Sequence, residues 1–262
     1  MENILDEIAS ENALRHIDPR VKLVLGIGSI LIAVSSSGPI APVSIAVGLA
    51  LATLFLARIP VKMYLTLLAI PLTFALSGAL IILFMTGTGP TLFTFTLGGF
   101  ALRATTGGAA LAVLTVARTF GGMCALFFIA LTTPAVDLFS VLRSLRLPSE
   151  FIDLAMLVYR FIFILIGEAI AIRNAQVMRH GYADLRSSMR SFSMLGAMLF
   201  LRSWDRGEDL VLAMDARCYD GKMEMHRGKW TAPAVGLFGA GAFLAAVTIL
   251  AWYAGGFTFW GP

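Results

Sequence analysis

The chain has 262 residues, of which 58% are hydrophobic and only 14% are charged, and its mean hydropathy is +0.84. Soluble domains carry about 25% charged residues, so this composition excludes an ordinary soluble domain and predicts a single integral membrane domain. The formal net charge is +4, and no acidic side chain occurs between Asp18 and Asp137. The N-terminus lacks the basic start and the apolar core of a cleaved signal peptide.

Apolar segments in chain order predict an all-α fold that crosses the bilayer repeatedly. Residues 1–18 are expected to form a surface helix, because apolar side chains recur on one side of this stretch. Asp18-Pro19 then begins a new helix, since aspartate caps a helix well and proline suits its first turn. A crossing takes about 20 apolar residues, and on this criterion the sequence predicts about five transmembrane helices. These segments are Val21–Ser36, Pro42–Ala57, Tyr64–Met85, Ala104–Leu131 and Thr231–Tyr253.

Two further stretches are expected to lie at the membrane surfaces. The Thr- and Phe-rich residues 86–100 alternate in polarity, which predicts a small hairpin on the outer side. Thr132-Thr133-Pro134 opens a short amphipathic helix that ends at Pro148, and its apolar side predicts that it lies in the membrane plane.

The apolar segment Phe151–Ile172 decides the topology. If it crossed, Arg143 and Arg146 would lie on the opposite side of the membrane from the basic stretch 173–229. Cytoplasmic loops carry the excess of Lys and Arg, so we expect this segment to begin a long oblique helix that reaches about Arg179. Six crossings follow if it does span the bilayer.

This topology divides the single membrane domain into four parts. They are a surface helix over 1–18, four transmembrane helices over 19–133, a cytoplasmic helical region over 134–229, and a C-terminal transmembrane helix over 230–262. Within the cytoplasmic region, a basic linker carrying Arg186 and Arg190 is expected to lead into a second long helix, Ser191–Arg217.

The two long helices of this region end in similar ways. The first closes with Arg179-His180-Gly181-Tyr182, and the second with Ala216-Arg217-Cys218-Tyr219-Asp220-Gly221. Arginine is always charged and offers a planar fork of donors that suits the carboxylates and carbonyls of a partner. The alternative is a pair of solvated cations that complement the helix dipoles. Gly181 and Gly221 are predicted helix stops, where the chain leaves the helix in a left-handed conformation.

These features resemble the transmembrane (T) component of energy-coupling factor (ECF) transporters, specifically the cobalt-type CbiQ family. The resemblance covers nearly the whole chain, and its most specific part is the second helix end, Ala213-Met214-Asp215-Ala216-Arg217. Further matches are Asp18-Pro19-Arg20 with Lys22, Arg146-Leu147-Pro148, and Tyr159-Arg160-Phe161 with Glu168-Ala169. Cys218 departs from the family, which usually has glycine at this position. The substitution affects only how closely the backbone is expected to pack there.

The resemblance implies a non-catalytic subunit of an ATP-driven importer in the plasma membrane, with cobalt as the expected substrate. Two cytoplasmic ATPase subunits would bind the ends of the two coupling helices. A CbiM-like substrate-binding (S) membrane subunit, with a small accessory membrane subunit, would bind the apolar helices, and no nucleic-acid partner is expected. The implied ATPase-coupling residues are Arg179, Gly181, Tyr182, Ala216, Arg217, Cys218 and Tyr219. The alternatives are a nickel or vitamin T component, or a stand-alone secondary transporter.

Three other charged residues, Arg118, Arg160 and Glu168, are candidates for an intramembrane or interface role. A charge within the membrane is a functional candidate by default, and Arg118 falls near the middle of a predicted crossing. It could face the S subunit, pair with Glu168 or Asp153, or bond to backbone carbonyls.

No His/Cys/Asp cluster has metal-ligand spacing and no G-x-x-x-x-G-K-[ST] loop occurs, so no metal site, cofactor or ATPase activity is expected in this chain.

Overall fold

The computed structural model describes residues 12–86, 89–97, 100–144, 147–219 and 233–255. The chain forms two compact units, Met1–Leu138 with Gly228–Pro262 and Phe139–Arg227, which we name the membrane unit and the hairpin unit. In chain order the described elements are α1 (Pro19–Ser35), α2 (Ile40–Leu51), a π-helical turn (Ala52–Leu56), α3 (Val61–Met85), β1 (Thr91–Leu97), β2 (Phe100–Thr105), α4 (Thr106–Thr132), α5 (Ala135–Ser144), α6 (Ser149–Met178), α7 (Leu185–Asp215) and α8 (Pro233–Tyr253).

Four of these helices are long and apolar enough to cross a membrane. They are Val61–Met85, Thr106–Thr132, Ser149–Met178 and the part of α8 from Gly236 to Tyr253. The all-α, multi-pass fold class is thereby confirmed. The exact number of crossings stays a prediction, because α1 has only 17 residues and Ile40–Leu56 is also shorter than the other four. Ser149–Met178 meets the length and composition criterion, so the prediction that it lies along the inner leaflet stays a prediction.

The start of α1 follows the prediction. The Asp18 carboxylate accepts a hydrogen bond from the Arg20 backbone N–H at 2.9 Å, and Pro19 occupies the first turn. Most of the predicted surface helix over 1–18 lies outside the described residues. Residues 12–17 form turns instead of a helix, with the Arg15 N–H bonded to the Asn12 carbonyl and the Ile17 N–H to the Leu14 carbonyl.

The predicted hairpin is confirmed, and it continues five residues beyond its expected end. β1 pairs with β2 in antiparallel register from Thr91 opposite Thr105 to Leu97 opposite Phe100. Helix α4 therefore begins at Thr106, two residues later than predicted. The Thr105 hydroxyl caps it by accepting from the Gly108 N–H at 3.1 Å, and donates to the Thr86 carbonyl at 2.6 Å.

Small residues let the helices of the membrane unit approach closely. A Cβ atom on Gly121 of α4 would lie 2.7 Å from the Pro42 carbonyl oxygen of α2, so only glycine fits at this crossing. The neighbouring side chains Ala33, Ile45 and Cys124 are fully buried. The core of this unit lies among α1, α2 and α4, and buried side chains of α3 (Tyr64, Leu68) and α8 (Val247, Ala251) belong to it as well.

Two cations hold α1 and α4 together. Each lies on one of the two helices and donates to a carbonyl at the end of the other. Lys22, near the start of α1, is 3% exposed, and its Nζ donates to the carbonyl of Thr132 at the end of α4 at 2.7 Å. Arg118, within α4, donates from Nε and Nη2 to the Ser36 carbonyl just past the end of α1 at 3.0 and 2.7 Å. The last carbonyls of a helix have no partner within it. Each helix of this antiparallel pair therefore supplies the missing donor to the other.

Replacing Lys22 by Met should lower the thermal stability of the protein in detergent. Methionine has a similar volume but cannot donate to the Thr132 carbonyl, and an unsatisfied buried acceptor costs about 1–3 kcal/mol. Arg20→Met is the matched control, because Arg20 is exposed and its side chain has no partner among the described residues. Equal melting temperatures for the two variants would show that the Lys22 bond contributes no stability.

The hairpin unit is built from α6 and α7, and α7 begins earlier than predicted. The expected basic linker is wrong, because Arg186 and Arg190 lie inside α7. Arginine, serine and methionine all tolerate a helix, and the Ser188 N–H donates to the Asp184 carbonyl at 2.8 Å in the first turn. The connection between the two long helices is therefore reduced to a short turn.

The short amphipathic helix forms as α5, from Ala135 to Ser144, within the predicted stretch. Pro134 precedes it, and the Pro134 carbonyl accepts from the Asp137 N–H at 3.0 Å. Val141 is buried, and the Phe139 ring meets the Tyr159 ring edge to face, with centroids 5.9 Å apart. The Phe139 ring of α5 thus contacts α6 about three turns after the start of that helix.

Candidate coupling site

The end of α6 is closed by a Schellman motif. The Gly181 N–H donates to the Gln176 carbonyl at 2.8 Å, and the His180 N–H to the Val177 carbonyl at 3.0 Å. These bonds satisfy carbonyls that the helix leaves unpaired. The left-handed residue is His180, with φ 55°. The prediction that Gly181 adopts this conformation is therefore wrong by one position.

The end of α7 repeats the same geometry. The Tyr219 N–H donates to the Met214 carbonyl at 3.1 Å, and the Cys218 N–H to the Asp215 carbonyl at 3.0 Å. Cys218 is left-handed, with φ 56°, at the position where glycine has the lowest cost. Gly221, the other predicted stop, lies outside the described residues. In both motifs an arginine, Arg179 or Arg217, stands directly before the left-handed residue.

Gly181 is needed for close packing instead of for backbone conformation. A Cβ atom there would lie 2.6 Å from the Ser191 Oγ and 3.0 Å from the Gln176 carbonyl oxygen. The Ser191 Oγ donates to the Gly181 carbonyl at 2.8 Å. The turn after α6 is thus pressed against α7, and a side chain at 181 would separate them.

Three side chains form a polar clasp around this turn. The Tyr182 hydroxyl donates to the Gln176 Oε1 at 2.8 Å, and the Gln176 Nε2 donates to the Ser191 carbonyl at 2.9 Å. Together with the Ser191–Gly181 bond, we call this arrangement the hairpin clasp. Tyr182 therefore positions the turn through a contact within the chain. The sequence motif contained Gln176, but the role of Ser191 could not be read from it.

A second link joins the two helices further from the turn. Glu168 of α6 pairs with Arg206 at 2.8 Å and with Arg202 at 3.6 Å, both on α7. Its side chain is only 15% exposed, whereas the two arginines are about half exposed. Among the described residues, both arginines pair with Glu168 and not with the acids of their own helix. α6 and α7 therefore form an antiparallel hairpin fixed at two levels.

Arg179 and Arg217 are both exposed, and neither has a hydrogen bond or an ion pair with any described residue. Arg179 lies at the turn, two residues before Gly181, whose carbonyl accepts from the Ser191 hydroxyl of α7. From Ser191 to Arg217 the helix rises about 39 Å at 1.5 Å per residue. The hairpin thus separates the two guanidinium groups enough for each to contact a different protein. Ala216 lies beside Arg217, and its N–H closes the last turn by donating to the Leu212 carbonyl at 3.0 Å.

The other predicted polar residues have separate surroundings. The partner of Arg118 is the Ser36 carbonyl, which matches the alternative of bonding to backbone carbonyls. Arg160 is exposed, whereas Asp153, on a neighbouring part of the same helix, is buried. Within the described ranges, no group of three or more His, Cys, Asp or Glu side chains could hold a metal ion.

Repeated long apolar helices together with an exposed helical hairpin define a multi-pass membrane protein. The family model of the cobalt transport protein CbiQ matches residues 10–227. The chain belongs to the CbiQ cobalt transport protein family, a family of transport proteins.

Curated relatives agree with this family. The chain is 47% identical over 243 residues to a putative fused cobalt transport protein CbiMQ of Methanocorpusculum labreanum, which covers 90% of this chain but only 41% of that longer protein. It is 34% identical to the cobalt transport protein CbiQ of Rhodobacter capsulatus, over 84% of this chain and 86% of that protein. It is 29% identical to the energy-coupling factor transporter transmembrane protein EcfT of Limosilactobacillus fermentum, over 83% of this chain and 84% of that protein.

Proposed function

We propose that this chain is the transmembrane coupling subunit of an ATP-driven ECF importer that takes cobalt across the plasma membrane. The observation that carries the proposal is the pair of matching helix ends. Each leaves an exposed arginine without a partner among the described residues, and each holds it in the same Schellman geometry. Two equivalent cations at opposite ends of α7, which rises about 39 Å from Ser191 to Arg217, suit two copies of a partner better than one.

The same geometry and the relatives support the proposed partners. Arg179 and Arg217 would each bind carboxylates or carbonyls on one cytoplasmic ATPase subunit. The name of the fused relative joins CbiM and CbiQ in one polypeptide, which supports a CbiM-like membrane subunit as the substrate-binding partner. A small accessory membrane subunit could join this complex. The hairpin unit then lies in the cytoplasm, where the ATPases have access to it.

Force would pass through the hairpin as through a rigid body. The hairpin clasp and the Glu168 pairs fix α6 to α7 at two levels, so displacement of one helix end moves the other. When the two ATPases close on ATP, they would change the distance or tilt between their two arginine contacts. The hairpin converts this change into a reorientation of the substrate-binding subunit. Tyr182 and Gly181 act in this scheme by holding the turn, and Ala216, Cys218 and Tyr219 by shaping the second end.

Reconstitution in proteoliposomes tests the proposal. Uptake of cobalt should require this chain, the ATPase subunits, the CbiM-like subunit and ATP together. Omission of the ATPases should abolish uptake, since no phosphate-binding loop occurs in this chain. Cobalt flux through liposomes that contain only this chain would instead identify a stand-alone transporter.

A further inference from the structure

One face of α7 is apolar, highly exposed and turned away from α6. Contacts to α6 come from Ser191, Arg202 and Arg206, which lie on one side of α7 at 100° per residue. The exposed large apolar side chains between Leu185 and Trp204 are between 40% and 87% exposed. Those on the side away from α6 are Leu185, Met189, Phe200, Leu201 and Trp204. We name this surface the outer face of α7.

The cations on the outer face have no partner among the described residues. Arg186 and Arg190 are exposed and have no hydrogen bond or ion pair with a described residue. No acidic residue occurs from 185 to 204. The nearest acid, Asp184, accepts a hydrogen bond from the Ser187 hydroxyl at 3.1 Å. The third arginine of this stretch, Arg202, points to Glu168 on α6.

The sign of the charge changes abruptly after Trp204. The second half of α7 contains four acids, Asp205, Glu208, Asp209 and Asp215, against Arg206 alone. The Trp204 Nε1 donates to Glu208 at 3.1 Å, so this ring stands at the boundary between the two halves. A negatively charged surface would therefore attract the first half of α7 and repel the second.

We propose that the first half of α7 lies on the membrane and binds the headgroups of anionic phospholipids through Arg186 and Arg190. A helix with Phe, Trp and Leu beside arginines buries its apolar side at the acyl boundary while the cations remain among the headgroups. Each basic residue near an anionic leaflet contributes about 1 kcal/mol, which corresponds to about a thirtyfold preference from the two together. The proposal rests on the membrane location of the chain and is independent of ATPase binding.

Spin labelling of the full chain in lipid nanodiscs tests this assignment. A nitroxide at Ser193→Cys lies in the middle of the outer face, in a background where Cys218 is replaced by Ser and Cys124 is buried. A reference label at Val211→Cys lies on the same side of α7, about five turns further on. The depth of each label is measured from its accessibility to oxygen and to a water-soluble nickel chelate. The measurement is made in discs of phosphatidylcholine alone and in discs that also contain phosphatidylglycerol.

The expected result is a label at 193 that lies below the headgroups in discs with phosphatidylglycerol and closer to water in phosphatidylcholine alone, while the label at 211 is in water in both. The double variant Arg186→Gln with Arg190→Gln should remove the difference in depth of the 193 label between the two kinds of disc. Arg15→Gln with Lys62→Gln removes the same charge from the membrane unit and should leave the difference intact.

Three results would overturn the proposal. The label at 193 could remain in water in both lipids, which would show a solvated face. It could become protected only when the ATPases or the CbiM-like subunit are added, which would identify a protein interface. It could lie equally deep in both lipids and in the Arg186/Arg190 variant, which would show apolar insertion without recognition of lipid charge.

Discussion

Reversing the charge of both exposed arginines, by Arg179→Glu with Arg217→Glu, should abolish co-purification of the ATPase subunits while the protein remains inserted in the membrane. Neither side chain has a partner among the described residues, so the fold does not depend on them. A hydrogen bond to a charged group contributes about 1.5–3 kcal/mol. Loss of two such contacts, without counting repulsion, lowers affinity at least about a hundredfold. The measurement is affinity purification of the complex from detergent-solubilised membranes.

Arg173→Glu is the matched control for this double reversal. Arg173 is an exposed arginine on α6, but it lies more than one turn before the helix end and outside the Schellman motif. It should retain the ATPases at close to the level of the unmodified chain. Normal recovery of the ATPases with the double variant would show that the two helix ends are solvated cations and not docking points.

Gly181→Ala should loosen the hairpin and uncouple transport, whereas Gly196→Ala should be tolerated. A methyl group at 181 would overlap the Ser191 Oγ and press on the Gln176 carbonyl, while a Cβ at 196 meets nothing within 4 Å. Breaking the bonds of the hairpin clasp costs about 0.5–1.5 kcal/mol for each bond lost. Alanine at 196 should even stabilise α7 by about 0.5–1 kcal/mol, because it replaces a glycine inside a helix.

Hydrogen exchange of the amides around Ser191 measures this effect directly. We expect faster exchange there in Gly181→Ala and no increase in Gly196→Ala. Cobalt uptake by the reconstituted complex should fall in the first variant, with the ATPases still bound through the two arginines. If both variants exchange and transport like the unmodified chain, the hairpin clasp has no role in rigidity.

Local signals explain which parts of the fold the sequence predicts. Asp18-Pro19 defines the start of α1 because both the capping carboxylate and the proline act within one turn. The alternating residues before α4 likewise indicate the hairpin, since strand polarity repeats every two residues. The start of α7 was missed because polar residues such as Arg186 and Arg190 suggest a linker when their helical neighbours are not considered.

The candidate site depended on contacts that local spacing cannot reveal. Arg118 bonds to a carbonyl 82 positions away, and Glu168 pairs with Arg206 at a separation of 38. The glycine rule for helix ends also led to the wrong residue. Backbone hydrogen bonds place the left-handed conformation at His180, while the glycine that follows is required by the hydroxyl of Ser191.

The central claim is that the arginine ends of the hairpin face the cytoplasm and contact the ATPases. The native cysteines allow this claim to be tested directly. Cys218 is exposed beside Arg217, whereas Cys124 is buried. A membrane-impermeant maleimide should label Cys218 in inside-out vesicles but not in intact cells, and bound ATPase subunits should protect it. Cys218→Ser supplies the background. Labelling of Cys218 from outside intact cells, or labelling in vesicles that the ATPases do not reduce, would contradict the claim.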